Sequence, residues 1–181
     1  MHKQSLIAAV SGLALLLGAG SMVAADNSTE QRGQLSAKDY KFLKEAAAGG
    51  MAEVQTGEIA KQKASSQSVR SFGERMVADH TKANNELRDL AAKKGATLPA
   101  DVSHHDRSLA DRLEKTSGLA FDKAYTADMV KDHKKDLKEF RDAANNSTDP
   151  DLKAWAQRTV PTLEEHLRLA EQIESEVRSA K

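Results

Sequence analysis

Apolar residues recur every three or four positions along four long stretches of the chain, a spacing typical of amphipathic helices. The pattern predicts helix 1 from the N-cap Ser36 to about Ala64, and helix 2 from a break at Ser65–Ser66 to about Lys94. Helix 3 is predicted from Gly118 to about Asn146, and helix 4 from Pro150 to about Ser179. The sequence lacks the alternation of Val, Ile and Thr that strands favour, so we expect an all-α fold.

The helix ends carry recognisable signals. Asp39 follows Ser36 by three residues, an acidic variant of the capping box, and Asp149-Pro150 is an N-cap followed by proline at the first helical position. Gly95 follows the basic end of helix 2. The connector 95–117 is long and contains a predicted short helix from Asp106 to Lys115. Short, long and short connections predict a ferritin-like four-helix bundle with up-down-down-up topology, whose crossover joins helices 2 and 3.

The first 25 residues have the pattern of a secretory signal peptide. Lys3 precedes an apolar run over residues 6–17, and Val23-Ala24-Ala25 suits signal peptidase. Residues 26–35 are polar, so we predict a flexible segment there and a bundle domain over 36–181. We therefore expect a protein exported to the periplasm or associated with the outer membrane. No transmembrane span is expected in the mature chain.

The charge and the absence of cysteine narrow the possible ligands. The chain has 27 basic and 27 acidic residues, and removing Lys3 with the leader leaves a formal charge of minus one. This argues against a general nucleic-acid binder, which needs a basic surface. Without cysteine, a metal ion must be held by nitrogen, oxygen or thioether. The charged outer faces leave open an envelope protein as a partner.

Three of the six histidines lie on apolar helical stripes. His80, His133 and His166 fall on helices 2, 3 and 4, and each follows an acidic residue. Two of them belong to the same Met-Val-x-Asp-His motif, at 76–80 and 129–133. Each preceding acid points about 100° away around its helix, so it could orient a histidine on a neighbouring helix or form an ion pair. Three imidazoles at one depth of a bundle favour a metal site, and a hydrogen-bonded polar core is the alternative.

Helix 1 supplies the predicted fourth ligand. Its stripe of small residues (Ala46, Gly49, Gly57 and Ala60) contains one acid, Glu53, with Glu45 and Glu58 as weaker alternatives. Three imidazoles and a carboxylate suit one divalent ion: Zn(II), Fe(II), Cu(II) or Ni(II). Met76 and Met129, one turn before their histidines, would favour copper if they bind, although packing is the commoner role of such methionines.

An internal similarity relates helices 2 and 3. A shift of 53 residues superimposes the two Met-Val-x-Asp-His motifs, and it also pairs Phe72 with Tyr125 and Glu86 with Glu139. Duplication would produce this similarity, and so would one site that constrains two parallel helices.

Several motifs together resemble the bacterial exported family called domain of unknown function 4142. The resemblance covers almost the whole mature chain, and it implies an exported ferritin-like bundle without an established activity. It depends on Phe42-Leu43-Lys44-Glu45-Ala46-Ala47, Met51-Ala52-Glu53-Val54, both Met-Val-x-Asp-His motifs, Leu98-Pro99, Phe121-Asp122-x-x-Tyr125 and Val160-Pro161-Thr162-Leu163-x-x-His166-Leu167.

The expected function is binding of one divalent metal ion, with a role in metal homeostasis or envelope stress. The first alternative is a non-catalytic structural or interaction bundle without metal. A metal-dependent oxidoreductase is less favoured, since no pattern marks a substrate pocket. Val77, Val130 and Leu163 occupy the positions where di-iron proteins carry the Glu of a Glu-x-x-His motif, which argues against a ferroxidase.

Overall fold

The computed structural model describes residues 35–180, and these form five helices without a strand among them. The predicted signal peptide, and all but the last residue of the predicted flexible segment, lie outside the described residues. The helices are α1 (Ala37–Lys63), α2 (Gln67–Lys93), α3 (His104–Glu114), α4 (Gly118–Asn146) and α5 (Pro150–Ser179). The predicted helices 1 to 4 are thus α1, α2, α4 and α5.

The ends of the long helices follow from their capping residues. Ser36 Oγ accepts from the amide of Asp39 at 3.0 Å, and Asp149 Oδ1 accepts from the amide of Leu152 at 2.9 Å. Gly95 has a φ of 62°, and the amide after it donates to the carbonyl of Ala91 at 2.9 Å, which closes a Schellman motif. The short helix in the crossover begins two residues earlier than predicted, because Ser103 Oγ accepts from the amide of Asp106 and so caps it.

Two apolar clusters establish the topology. The first contains residues from the end of α1, the start of α2, the start of α4 and the end of α5, together with α3. The second contains the opposite ends of the same four long helices. The α2 and α4 helices therefore run parallel, and α1 and α5 run the other way. This is the up-down-down-up arrangement predicted from the connection lengths, with residues 94–117 as the crossover.

The α1 helix approaches α2 closely through two glycines. A Cβ atom added to Gly73 would lie 2.9 Å from the Cβ of Ala60 and 2.9 Å from the carbonyl oxygen of Gly57. The buried face of α1 is wider than one narrow stripe. The predicted stripe positions Ala46 and Gly49 are only half-buried, and the neighbouring Ala47 is buried instead.

In each helical hairpin, a buried aspartate accepts hydrogen bonds from the turn of the other hairpin. Asp122 of α4 accepts from the amides of Ser65 and Ser66 at 3.0 and 2.9 Å, at the turn between α1 and α2. Asp39 of α1 accepts from the amide and hydroxyl of Thr148 at 3.2 and 2.7 Å, at the turn between α4 and α5. Both aspartates are buried, so these bonds replace contacts with water.

Within residues 35–180, none of the helices combines the length and the hydrophobicity needed to cross a membrane.

Candidate metal centre

A polar layer separates the two apolar clusters at mid-height of the bundle. Each long helix contributes one side chain to this layer: Glu53 from α1, His80 from α2, His133 from α4 and His166 from α5. His133 and His166 are 0% exposed, and His80 and Glu53 are 6% exposed. The helical periodicity of the sequence correctly directed all three histidines to the interior.

The three imidazole rings lie close to one another. Their centroids are 5.9 Å apart for His80 and His133, 5.3 Å for His80 and His166, and 5.4 Å for His133 and His166. One possible ligand atom of each histidine lies within 4.8 Å of the other two. Nitrogens bound to one tetrahedral zinc ion would be about 3.3 Å apart, so small side-chain movements would bring these atoms to an ion.

One nitrogen of each ring is held by an oxygen atom of the protein. His80 Nδ1 lies 2.9 Å from Glu53 Oε2, and His133 Nδ1 lies 3.0 Å from the carbonyl oxygen of Met129. His166 Nε2 lies 2.8 Å from Asp79 Oδ2 on the neighbouring helix. Carboxylates and carbonyls that bind a ring N–H fix the ring orientation and leave the other nitrogen with its lone pair.

The remaining nitrogen of each ring is buried without a hydrogen-bond partner among residues 35–180. These atoms are Nε2 of His80, Nε2 of His133 and Nδ1 of His166. The Met129 carbonyl can only accept, so His133 Nδ1 carries the proton and Nε2 carries the lone pair. With their partners ionised, His80 and His166 present lone pairs in the same way. Each of the three rings can then offer one lone pair to a cation.

Glu53 adjoins the histidines but is not part of the group of three defined by the 4.8 Å distance. Its Oε1 atom lies 3.6 Å from His133 Nε2, and in the described part of the chain neither atom has a hydrogen-bond partner. Ligands of one tetrahedral ion have a similar separation, about 3.3 Å. Direct binding by Glu53 therefore stays a prediction, whereas its contact with His80 is observed.

Comparison with known proteins establishes the family. A family model described as "Domain of unknown function (DUF4142)" matches residues 24–173. The chain belongs to the DUF4142 family. No curated protein matches it in sequence. Among solved structures, it resembles the crystal structure of a DUF305 fragment from Deinococcus radiodurans, with a TM-score of 0.70 and 11% identity over 79% of this chain and 99% of that one. At this identity the likeness shows the helical fold alone.

The acids that precede the three histidines have different roles in this DUF4142 chain. Asp79 reaches across to α5 and holds His166. Asp132 lies in a cleft between α1, α3 and α4. Glu165 forms an exposed ion pair with Arg168 at 2.8 Å. Helical periodicity gave the direction of each acid but not its distance to the next helix, so it could not identify Asp79 as the residue that contacts a histidine.

Burial keeps the three imidazoles neutral. Desolvation lowers the pKa of His80, His133 and His166 to about 4 each, well below the ordinary histidine value. Desolvation also raises the pKa of Glu53 to about 7, although the charge of His133 opposes this rise. At neutral pH the histidines of the DUF4142 chain therefore have their lone pairs available, and a bound cation would favour the ionised form of Glu53.

Proposed function

We propose that this DUF4142 protein binds one divalent first-row transition-metal ion through His80, His133 and His166, with Glu53 as the fourth ligand. The proposal depends on one observation: each ring has one nitrogen held by an oxygen and the other buried and unpartnered within residues 35–180, and one ligand atom of each ring lies within 4.8 Å of the other two. Neutral imidazoles with a nearby carboxylate suit Zn(II), Fe(II), Cu(II) or Ni(II).

The alternative of a polar core without metal fits this arrangement less well. A buried polar atom without a partner destabilises a protein by about 1–3 kcal/mol. A histidine selected only for packing would have both nitrogens satisfied or would be replaced by an apolar residue. Here each of three neighbouring rings has such an atom, and one cation between the rings would be a common partner for them.

The ligand set favours binding over redox catalysis. Val77, Val130 and Leu163 lie one turn before the histidines, so they provide none of the carboxylates that a di-iron site requires. Met76 and Met129 are buried next to the layer, in the apolar cluster that also contains Phe72 and Tyr125. We therefore propose a role in metal homeostasis or envelope stress, in a protein exported by its predicted signal peptide to the periplasm or outer membrane.

Elemental analysis of untagged protein, dialysed separately against each of the four ions, tests the proposal. We expect about one ion per chain for at least one of them, and loss of that ion in the His133→Ala variant. At one hundred times the dissociation constant, the ion stabilises the fold by about 2.7 kcal/mol. For a domain of this size, the melting temperature should then rise by roughly 5–10 °C.

His104→Ala is the matched control, because His104 is exposed on α3 and does not belong to the layer. This variant should bind as the wild type does. Less than a tenth of an ion per chain for all four metals, with an unchanged melting temperature, would refute the proposal.

A further inference from the structure

A cleft between α1, α3 and α4 lies beside the polar layer. Its volume is about 320 Å³, and Glu53 forms part of its wall. The wall of the cleft has more carboxyl than ammonium groups, and a concave surface with an excess of one sign of charge attracts ions of the opposite sign. Its carboxyl groups come from Glu45, Glu53, Asp106, Asp132 and Asp136, and its ammonium groups from Lys131 and Lys135. Burial raises the pKa of Asp136 to about 8 and that of Glu53 to about 7, so these two carboxyls become fully ionised only above neutral pH or beside a cation. Below, this surface is called the acidic cleft.

The acidic cleft shares its inner wall with a second, smaller cavity. That cavity has a volume of about 30 Å³ and is lined by His80 as well as by residues of all four long helices. Glu45, Gly49, Glu53 and Asp136 line both spaces. A volume of this size holds about one water molecule. The two spaces are therefore adjacent, and a path from the surface to His80 would run through both.

Glu53 is located where the two spaces meet. Its side chain is more than nine-tenths buried, and Oε2 lies 2.9 Å from His80 Nδ1. With Asp136 ionised, Oε1 has no hydrogen-bond partner in the described part of the chain, and the neighbouring Asp136, whose pKa burial raises to about 8, can donate to Glu53 only when it is protonated. A buried carboxylate oxygen without a partner is unfavourable, and a cation that arrives through the acidic cleft would pair with it.

The cleft is better suited to passage than to storage. Among residues 35–180, only the three histidines form a group close enough together to hold an ion. The carboxylates of the cleft are spread along its wall, and Lys135 lies 3.9 Å from Asp136 and 3.4 Å from Glu139. A hydrated cation would be attracted there without being trapped.

We infer that the acidic cleft is the route by which a hydrated divalent cation reaches the histidine site, with Glu53 as the first buried group that it meets. This inference depends on the proposed metal site. It also gives the crossover a function, since Asp106 and Leu109 of α3 form part of the wall.

A steric test uses Gly49, which lines both spaces. A Cβ atom added there would have no other atom within 4 Å, so a larger side chain can extend into the path without a backbone clash. Uptake and release of Zn²⁺ would be followed by stopped-flow competition with a chromophoric chelator. We expect Gly49→Leu to slow uptake at least about tenfold. Release should slow by the same factor, because an obstruction outside the bound state leaves the equilibrium constant unchanged. Gly49→Ala is the control and should exchange Zn²⁺ at the wild-type rate.

An electrostatic test uses Asp132 and remains informative if Gly49→Leu does not fold. Asp132→Asn should slow Zn²⁺ uptake at low ionic strength by about threefold or more, and the difference should shrink as salt is added. Glu86→Gln is the matched control. It removes the same charge from the cleft between α2 and α5, on another face of the bundle.

The outcomes distinguish a failure of the proposed route from a failure of the proposed metal site. If the wild type binds Zn²⁺ and the Gly49→Leu and Asp132→Asn variants both exchange it at the wild-type rate, the route is wrong and the site stands. A weaker affinity of Gly49→Leu with an unchanged uptake rate would also overturn the route, since the substitution would then act on the bound state. If the wild type binds none of the four ions, the proposed function fails and the route fails with it.

Discussion

Replacing Asp79 by asparagine tests how the protein prepares a histidine for metal binding. Asp79 Oδ2 lies 2.8 Å from His166 Nε2, and this bond leaves the lone pair on Nδ1. Asparagine keeps the shape of the side chain and can still accept the N–H through its amide oxygen. It removes the negative charge that makes the imidazole a stronger ligand.

The expected loss follows from the position of Asp79. Removing a carboxylate that holds a metal-bound histidine weakens metal binding by about 10- to 100-fold. The Asp79 side chain is 35% exposed and also lies 3.4 Å from Arg75 Nε, so water and the guanidinium already screen its charge. We therefore expect the lower part of that range, about 10- to 30-fold, which corresponds to about 1.4–2 kcal/mol.

Competition between the protein and a chelator of known affinity measures this change. At a fixed concentration of the ion, a loss of 1.4 kcal/mol should also reduce the metal-induced rise in melting temperature by about 3–6 °C. Glu165→Gln is the matched control, because Glu165 also precedes a histidine but pairs with Arg168. The reasoning fails if Asp79→Asn binds within about twofold of the wild type, or if Glu165→Gln loses as much affinity.

Four further predictions concern pH, packing and hydrogen bonding. The three histidines have a folded pKa of about 4, below the unfolded value of about 6.5, so their contribution to stability is present above pH 6.5 and is lost as the pH falls toward 4. Metal-free His133→Gln should therefore lose less melting temperature than the wild type between pH 7 and pH 4.5, and an equal loss would contradict this. Gly49→Ala should stabilise the fold by up to about 1 kcal/mol. Gly73→Ala should destabilise it by about 1 kcal/mol, because its Cβ would lie 2.9 Å from Ala60; urea titration of both variants checks the opposite signs. Asp122→Ala should lower the unfolding free energy by about 2 kcal/mol, because it removes the buried acceptor of the Ser65 and Ser66 amides. The folded variant should still bind one ion per chain, and an unchanged urea midpoint would argue against the role of this carboxylate.

Local signals in the sequence were sufficient to predict the long helices. The side chains of Ser36 and Asp149 accept hydrogen bonds from the first turn of a helix, and Gly95 ends one. These effects reach only a few residues along the chain, so they can be predicted without knowledge of the tertiary structure. The convergence of the histidines was predictable for a related reason. Helical periodicity fixes the face on which a side chain lies, and the connection lengths fix which helices run parallel.

The contacts between helices were not predictable in the same way. The bond from Asp79 to His166 depends on how far apart α2 and α5 pack, and the close approach of α1 to α2 depends on the contact between Gly57 and Gly73. The position of α3 beside the acidic cleft depends on its packing against α1 and α4 through Leu109 and Leu113. Spacing along one helix contains no information about these distances.

The hydrogen bonds that join an aspartate of each half of the molecule to the turn of the other half have a consequence for folding. Asp122 accepts hydrogen bonds from the turn of the first hairpin, and Asp39 accepts them from the turn of the second. The proposed ligands are divided in the same way, with Glu53 and His80 in one half and His133 and His166 in the other. During synthesis the N-terminal half would emerge with an incomplete turn and with half of the ligands. Capture of the ion would then have to wait until the C-terminal half docks, which confines the site to chains that have finished folding.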